Sequence, residues 1–257
     1  MVDAVIFDWA GTTVDYGCFA PVRAFMATFE QAGVAPTVEE TRKPMGMLKI
    51  DHIRTMLKMP RIHDEWTRVH GAEPTEADVQ ALYEPYEQML LASLDNYAEP
   101  KPYVLEAVDA LRAAGAAIGS TTGYNDKMME IVTREAAKRG YAPDFTVTPD
   151  GAGGKGRPYP YMVFRNMEAL GCADVRRVAK VGDTVADIEE GKNAGVITVG
   201  VVDGSSVMAM SREEFEGLSD AEREAARERV ARTFREAGAD AVIHDFRELP
   251  ALLEALA

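Results

Sequence analysis

The chain is short of what a zinc finger, a disulfide framework or a membrane span requires. Its 257 residues hold two cysteines, Cys18 and Cys172, without paired spacing, and four histidines, which argues against a zinc site or a small stapled fold. No apolar run approaches the roughly 20 residues of a spanning helix. The opening MVDAVIFDWA lacks the basic region and small-residue cleavage site of a signal peptide. These absences lead us to expect a cytoplasmic protein with no membrane partner. Positive charge is scarce too: 28 Lys and Arg face 42 Asp and Glu, a net charge of −14, and with no local basic patch a nucleic-acid partner is not expected. What is present is a globular composition, 47% hydrophobic and 27% charged, in a chain long enough to bury a large core.

Short β-rich runs alternate with amphipathic stretches. The runs Ala4–Phe7, Ala117–Ser120, Phe145–Thr148, Ala179–Val181, Ile197–Val201 and Ala241–Ile243 predict strands, and segments such as Val104–Ala114 and Lys127–Arg139 predict helices between them. This is the rhythm of an α/β fold with a Rossmann-like parallel sheet core. From about Pro21 to Pro100 the rhythm breaks into Met-rich helical segments with no convincing strand. The expectation is a core of residues 1–20 and 100–257 with an inserted, all-helical cap of residues 21–99, hinged at YGCFAP and NYAEPKPY, where glycine and proline interrupt helical periodicity. The charged stretch Ser211–Glu236 predicts a solvated helix pair.

Ligands of an open parallel sheet bind beyond the carboxyl ends of its strands. Asp8 follows the first strand, Thr121-Thr122-Gly123 the second, and Gly182-Asp183-Thr184 the fourth, so the three sets should converge. Each alone also suits a turn or a helix cap. Facing carboxylates repel unless a proton or cation lies between them. Hard oxygen donors without clustered His or Cys suit Mg²⁺, which binds through one or two carboxylates plus phosphate oxygens, so a phosphoryl or phosphonyl ligand is expected. Asp187, four residues after Asp183, shares a helix face with it if a helix begins there. Arg157, in KGRPYPYM, offers a planar cation for the same group, and Lys155 is a weaker candidate.

Within the insertion, a helical reading of MGMLKIDHIRTM puts Met45, Leu48, Lys49, His52, Ile53 and Met56 on one face. A lysine on an apolar stripe loses hydration, which lowers its pKa and frees neutral amine to attack a carbonyl, with His52 placed to shuttle protons. The residues alone leave this open against Lys49 snorkelling at the stripe's edge and His52 being a satisfied interior histidine.

FDWAGTTVD, STTGYN, GRPYPYM and VGDTVADIEEGKNAG, in order and over nearly the whole chain, resemble the haloacid dehalogenase superfamily of aspartyl-nucleophile enzymes, and PMGMLKIDHIR resembles the cap motif of its phosphonatase branch. The resemblance implies that Asp8 is the nucleophile, that Asp8, the Ala10 carbonyl and Asp183 hold Mg²⁺, and that Asp187 supports the metal. It further implies that Thr12, Thr122, Gly123 and Arg157 face the phosphoryl group, that Lys49 forms a Schiff base with an aldehyde assisted by His52, and that Met45 packs against the reacting groups. A small-molecule phosphonate substrate and a homodimer are implied with these; Cys18 and Tyr124 receive no role.

Ala10 fits that branch. Phosphatases of the superfamily usually carry an aspartate two residues after the nucleophile to protonate the leaving oxygen, a contribution of about 10²–10⁴ in rate. A phosphonate's leaving group is instead a carbanion, which needs an electron sink such as a lysine iminium. The expected reaction is hydrolysis of the P–C bond of phosphonoacetaldehyde to acetaldehyde and phosphate, through that Schiff base and an aspartyl-phosphate. The alternatives are a Mg²⁺-dependent phosphomonoesterase of the same fold whose acid lies elsewhere, and a non-catalytic phosphometabolite-binding protein.

Overall fold

The computed structural model describes residues 2–256. Six parallel strands, β1 (Ala4–Phe7), β2 (Ala117–Thr121), β3 (Phe145–Val147), β4 (Val178–Gly182), β5 (Ile197–Val201) and β6 (Ala241–Ile243), form one sheet in the order β3-β2-β1-β4-β5-β6. Each predicted strand is present, its ends shifted by at most one residue. Strand β1 sits between β2 and β4, with Ala4 opposite both Ala117 and Val178. Its residues are buried on both faces, as a central parallel strand requires. Val5 and Phe7 join one core layer, and Ala4 and Ile6 join the other with Val163 and Met167, the two-residue period of a pleated strand.

Between β1 and β2 the chain forms α1 (Phe19–Gln31), α2 (Val38–Arg42), α3 (Lys49–Leu57), α4 (Pro60–His70) and α5 (Glu76–Leu91). Capping boxes start α2 at Thr37 and α5 at Thr75, and Pro60 opens α4 at its first turn. Phe25, Phe29, Ile53, Met56 and Tyr86 are fully buried there, each contributing roughly 1.5–3 kcal/mol by burial. The remaining helices are α6 (Val104–Ala113), α7 (Asp126–Lys138), α8 (Tyr161–Leu170), α9 (Val185–Ala194), α10 (Arg212–Glu216), α11 (Asp220–Glu236) and α12 (Leu249–Leu256).

Two sequence expectations change. The stripe from Met45 to Met56 is not one helix: α3 begins at Lys49, Leu48 is its N-cap and Met45 lies in the preceding turn. Pro44 and Gly46, the latter at φ +92°, make that turn, and a side chain on Gly46 would collide with Thr184 Oγ1, 2.3 Å from an ideal Cβ. Lys49, His52, Ile53 and Met56 do share a buried face. The charged pair α10 and α11 is solvated on one side only, because Phe215, Ala226, Val230, Ala231 and Phe234 pack into a core layer with Ile188.

Candidate active site

The loop after β1 folds around one carbonyl: the N–H groups of Thr12, Thr13 and Val14 all donate to Trp9 O, at 3.1, 2.8 and 3.0 Å. Gly11 takes φ +90° there, and its missing side chain makes room for Asp183, whose Oδ2 lies 2.2 Å from where a Cβ would stand. This close approach brings the ends of β1 and β4 together. Thr12 Oγ1 donates to Asp183 Oδ1 at 2.7 Å and lies 3.3 Å from Asp8 Oδ2, so Thr12 bridges the two carboxylates. The Ser206 N–H donates to Asp183 Oδ2 at 2.7 Å.

Asp183 stands just before α9, whose N-cap is Thr184, and Asp187 is the N3 residue of the resulting capping box. The two aspartates therefore do not share a helix face as the spacing suggested; they meet because the turn into α9 folds back over Gly182, where a Cβ would lie 2.3 Å from Asp187 Cβ. Asp8, Asp183 and Asp187 each offer an oxygen within 4.8 Å of the others, all buried. Burial, Asp8 and Asp187 push Asp183 up to about 8. Burial would raise Asp187 as well, but the charges of Arg157 and Lys180 outweigh it and hold that carboxyl low.

Arg157 is buried at the centre of this cluster. Its Nη2 donates to Asp8 Oδ1 at 2.7 Å and to Thr121 Oγ1 at 2.9 Å and lies 3.1 Å from Asp187 Oδ1, while Nε donates to Glu190 Oε2 at 3.0 Å. Its Nη1 donates to Gly46 O at 3.3 Å. Lys180, from the middle of β4, donates to Asp187 Oδ1 at 2.7 Å and lies 3.6 Å from Glu190 Oε2. With all four carboxylates ionised, they face two cations in direct contact, Arg157 and Lys180, and two negative charges are left over. A divalent cation fits that deficit, and the oxygen-only donors suit a hard ion. Asp187 is already committed to Lys180, Arg157 and Thr184, so Asp8 and Asp183 are the carboxylates with room for it.

Lys49, Met45 and Gly46 from the insertion close over Asp8, Ala10, Thr122, Gly123, Tyr124, Arg157 and Thr184, and Cys18 completes the wall. The space between them is about 10 Å³, at the lower limit for one water. Lys49 Nζ has no hydrogen-bond or ion-pair partner among the described residues and lies 5.1 Å from the centre of the Tyr124 ring. Burial lowers its pKa. The position at the first residue of α3, at the positive end of the helix dipole, acts in the same direction. His52 stacks on Phe25 at 3.9 Å and donates from Nε2 to Thr41 O at 2.8 Å; burial and the Lys49 charge hold it neutral, and its Nδ1 lacks a partner among the described residues. Thr122 Oγ1 accepts from Tyr124 N at 3.0 Å, and Gly123 leaves no space for a Cβ against Met47 O, 2.5 Å away. Lys155 is exposed over the Tyr161 ring and does not join the cluster.

A model of haloacid dehalogenase-like hydrolases matches residues 2–195, and a second, HAD-hydrolase-like model matches 154–249. The chain belongs to the haloacid dehalogenase-like hydrolases. Among curated members, it is 55% identical to phosphonoacetaldehyde hydrolase of Lysinibacillus sphaericus (strain C3-41), over 99% of this chain and 95% of that protein. It is 51% identical to phosphonoacetaldehyde hydrolase of Bacillus cereus (strain AH820), over 98% and 96%. A crystal structure of a phosphonoacetaldehyde hydrolase-like protein from Oleispira antarctica superposes with a TM-score of 0.96 at 36% identity, covering 99% of this chain and 92% of that one. These relatives agree with the phosphonatase resemblance of the motifs.

Sequence reading had not singled out Lys180 or Glu190. The signal for Lys180 was a lysine inside the apolar run VAKVG, and for Glu190 its place three residues after Asp187 on a predicted helix.

Proposed function

We propose that this hydrolase cleaves the P–C bond of phosphonoacetaldehyde, with residues 21–99 acting as a cap over the core of residues 1–20 and 100–257. The observation that carries the reading is the one pocket in which Asp8, after β1, and Arg157, in the loop before α8, face a desolvated Lys49 that has no ion-pair partner among the described residues, with Ala10 where an acid for oxygen leaving groups would stand. The curated relatives named phosphonoacetaldehyde hydrolase support the substrate.

In this reading the neutral amine of Lys49 attacks the aldehyde, and water leaves as the iminium forms, with His52 Nδ1 available to move a proton near the amine. Asp8 attacks phosphorus as the P–C bond breaks, and that bond's electron pair moves into the iminium to give an enamine on Lys49. Arg157, pinned by Glu190, orients Asp8 and meets the phosphoryl oxygens together with Thr12, Thr122 and the Gly123 backbone. Water then hydrolyses the aspartyl-phosphate; the enamine takes a proton, and hydrolysis of the imine frees acetaldehyde and restores Lys49. Mg²⁺, held by Asp8, Asp183 and the Ala10 carbonyl with Asp187 behind them, would supply positive charge for the phosphoryl oxygens. Met45 packs beside the reacting groups. The space of about 10 Å³ is too small for the substrate, so in this reading the insertion lifts to admit it. A small-molecule phosphonate substrate, a cytoplasmic setting and a homodimer belong to the same proposal; no helix among the described residues is long and apolar enough to cross a membrane.

The test is release of phosphate and acetaldehyde from phosphonoacetaldehyde with Mg²⁺, beside an aryl phosphate. Equimolar products that vanish in Lys49→Arg, which keeps the charge but cannot form the imine, are expected. Inert phosphonoacetaldehyde with Lys49-independent aryl phosphate turnover would favour the phosphomonoesterase.

A further inference from the structure

Arg42, the last residue of α2, is a buried arginine that the chemistry above does not use. It has no carboxylate partner among the described residues. Instead Nη1 donates to two backbone carbonyls, Gly17 O at 2.7 Å and Ser206 O at 3.1 Å, and the guanidinium stacks 4.9 Å from the centre of the Phe19 ring. Nε and Nη2 are left without hydrogen-bond partners among the described residues. Burying a guanidinium on two carbonyls is costly, and a surface-facing position would serve α2 as well if packing were its only task.

The two carbonyls belong to different parts of the molecule. Gly17 lies in the first connection between sheet and insertion, and its own N–H donates to Gly204 O at 2.8 Å. Ser206 lies in the loop after β5, and its N–H holds Asp183 Oδ2. One side chain of the insertion therefore spans the hinge and grips the residue that fixes Asp183. Both connections end on the 204–206 turn, where Gly204 has no room for a side chain against the Tyr16 ring, 2.6 Å from an ideal Cβ. The turn is clamped from the hinge, from the acid site and, through Arg42, from the insertion.

We propose that Arg42 is a positioning residue that couples closure of the helical insertion to the placement of Asp183, acting through Ser206. Lifting the insertion withdraws the guanidinium from the Ser206 carbonyl and frees the turn that orients the Asp183 carboxylate; seating it restores both. The acid site then takes its closed geometry only when Lys49 is also in place over Asp8. The inference rests on residues 21–99 being a mobile cap over a divalent-cation site.

The test uses the full chain carrying Cys172→Ser, so that the buried Cys18 beneath the insertion is its only thiol. Alkylation of Cys18 by a small maleimide without substrate reads opening, and calorimetric titration with Mg²⁺ reads the acid site; neither needs turnover. In Arg42→Ala both the alkylation rate and the Mg²⁺ dissociation constant should rise about tenfold, the scale of one charge-assisted hydrogen bond. The kcat for phosphonoacetaldehyde should fall more than KM rises, and Arg42→Lys, which can keep one carbonyl, should fall between. Urea midpoints of each variant separate opening from global unfolding. Faster alkylation with unchanged Mg²⁺ affinity, or no change in either, overturns the coupling. If Arg42→Ala does not fold, Arg42→Lys carries the same two readouts. Failure of the functional reading would appear separately, as an intact parent protein that leaves phosphonoacetaldehyde untouched.

Discussion

Lys180 on the sheet and Lys49 on the insertion are both buried lysines, yet they are treated in opposite ways. Lys180 has Asp187 at 2.7 Å and Glu190 at 3.6 Å, inside a buried cluster that Arg157 also joins. Lys49 has an aromatic ring and apolar neighbours and no ion-pair partner among the described residues. A paired buried lysine organises carboxylates, whereas burial without a partner drives Lys49 toward the neutral amine that can act as a nucleophile. The sheet side is thus built to hold charge still, and the insertion side to make a base available.

The strongest way to break this comparison is to remove the group on which both sides converge. Asp8→Asn keeps the shape and the Thr12 contact but removes the proposed nucleophile, and turnover should fall by about 10⁴-fold or more. Phosphate release measures it; retained turnover would move the nucleophile elsewhere. Next is Lys49→Arg, for which loss of phosphonoacetaldehyde turnover by at least about 10³-fold is expected. Borohydride added with substrate should inactivate the unsubstituted enzyme and add mass at Lys49 alone. Labelling at another lysine would remove the functional meaning of the contrast.

Stability sharpens it further. Lys180→Met leaves Asp187 and Glu190 sharing Arg157 alone, and should cost about 3–5 kcal/mol, as removing one partner of a buried pair does. Lys49→Met removes a buried charge that has no partner to strand, so it should be neutral or stabilising. Urea unfolding of the two variants decides this, and equal losses would mean that Lys49 is paired in solution.

How far the sequence carried this follows from the kind of signal each residue leaves. Strands β1, β2, β4 and β5 were legible as apolar runs, and Asp8, Thr122 and Asp183 as polar residues at their ends, because a parallel sheet fixes where such ends converge. Lys180 was hidden in the same kind of run, since its partners come from α9 by tertiary packing and no local pattern announces them. Met45 and Leu48 were misplaced onto a helix because they match its period, while Pro44 and the positive φ of Gly46 impose a turn. Arg42 was invisible for a further reason: its ligands are backbone carbonyls, and every residue has one.

The smallest of the expected effects lies at Asp15, just before the expected hinge YGCFAP. Asp15 caps α1, accepting from Phe19 N and Ala20 N at 3.0 Å each, and is 6% exposed. Burial raises its pKa from 3.8 to about 6 despite those donors. The folded state therefore binds this proton more tightly than the unfolded chain. The resulting stabilisation is complete below about pH 4 and is lost as pH rises through about 6, a change of at most about 3 kcal/mol. Asp15→Asn does not titrate, so its stability relative to the parent protein should improve between about pH 4 and about pH 7, as read by urea midpoints. A pH-independent difference would show an ordinary carboxyl, and the opposite slope would show that the two N–H donors outweigh burial. With the predicted sign, Asp15 sides with Lys49, where desolvation dominates, and the buried ion-paired cluster stays around Arg157 and Lys180.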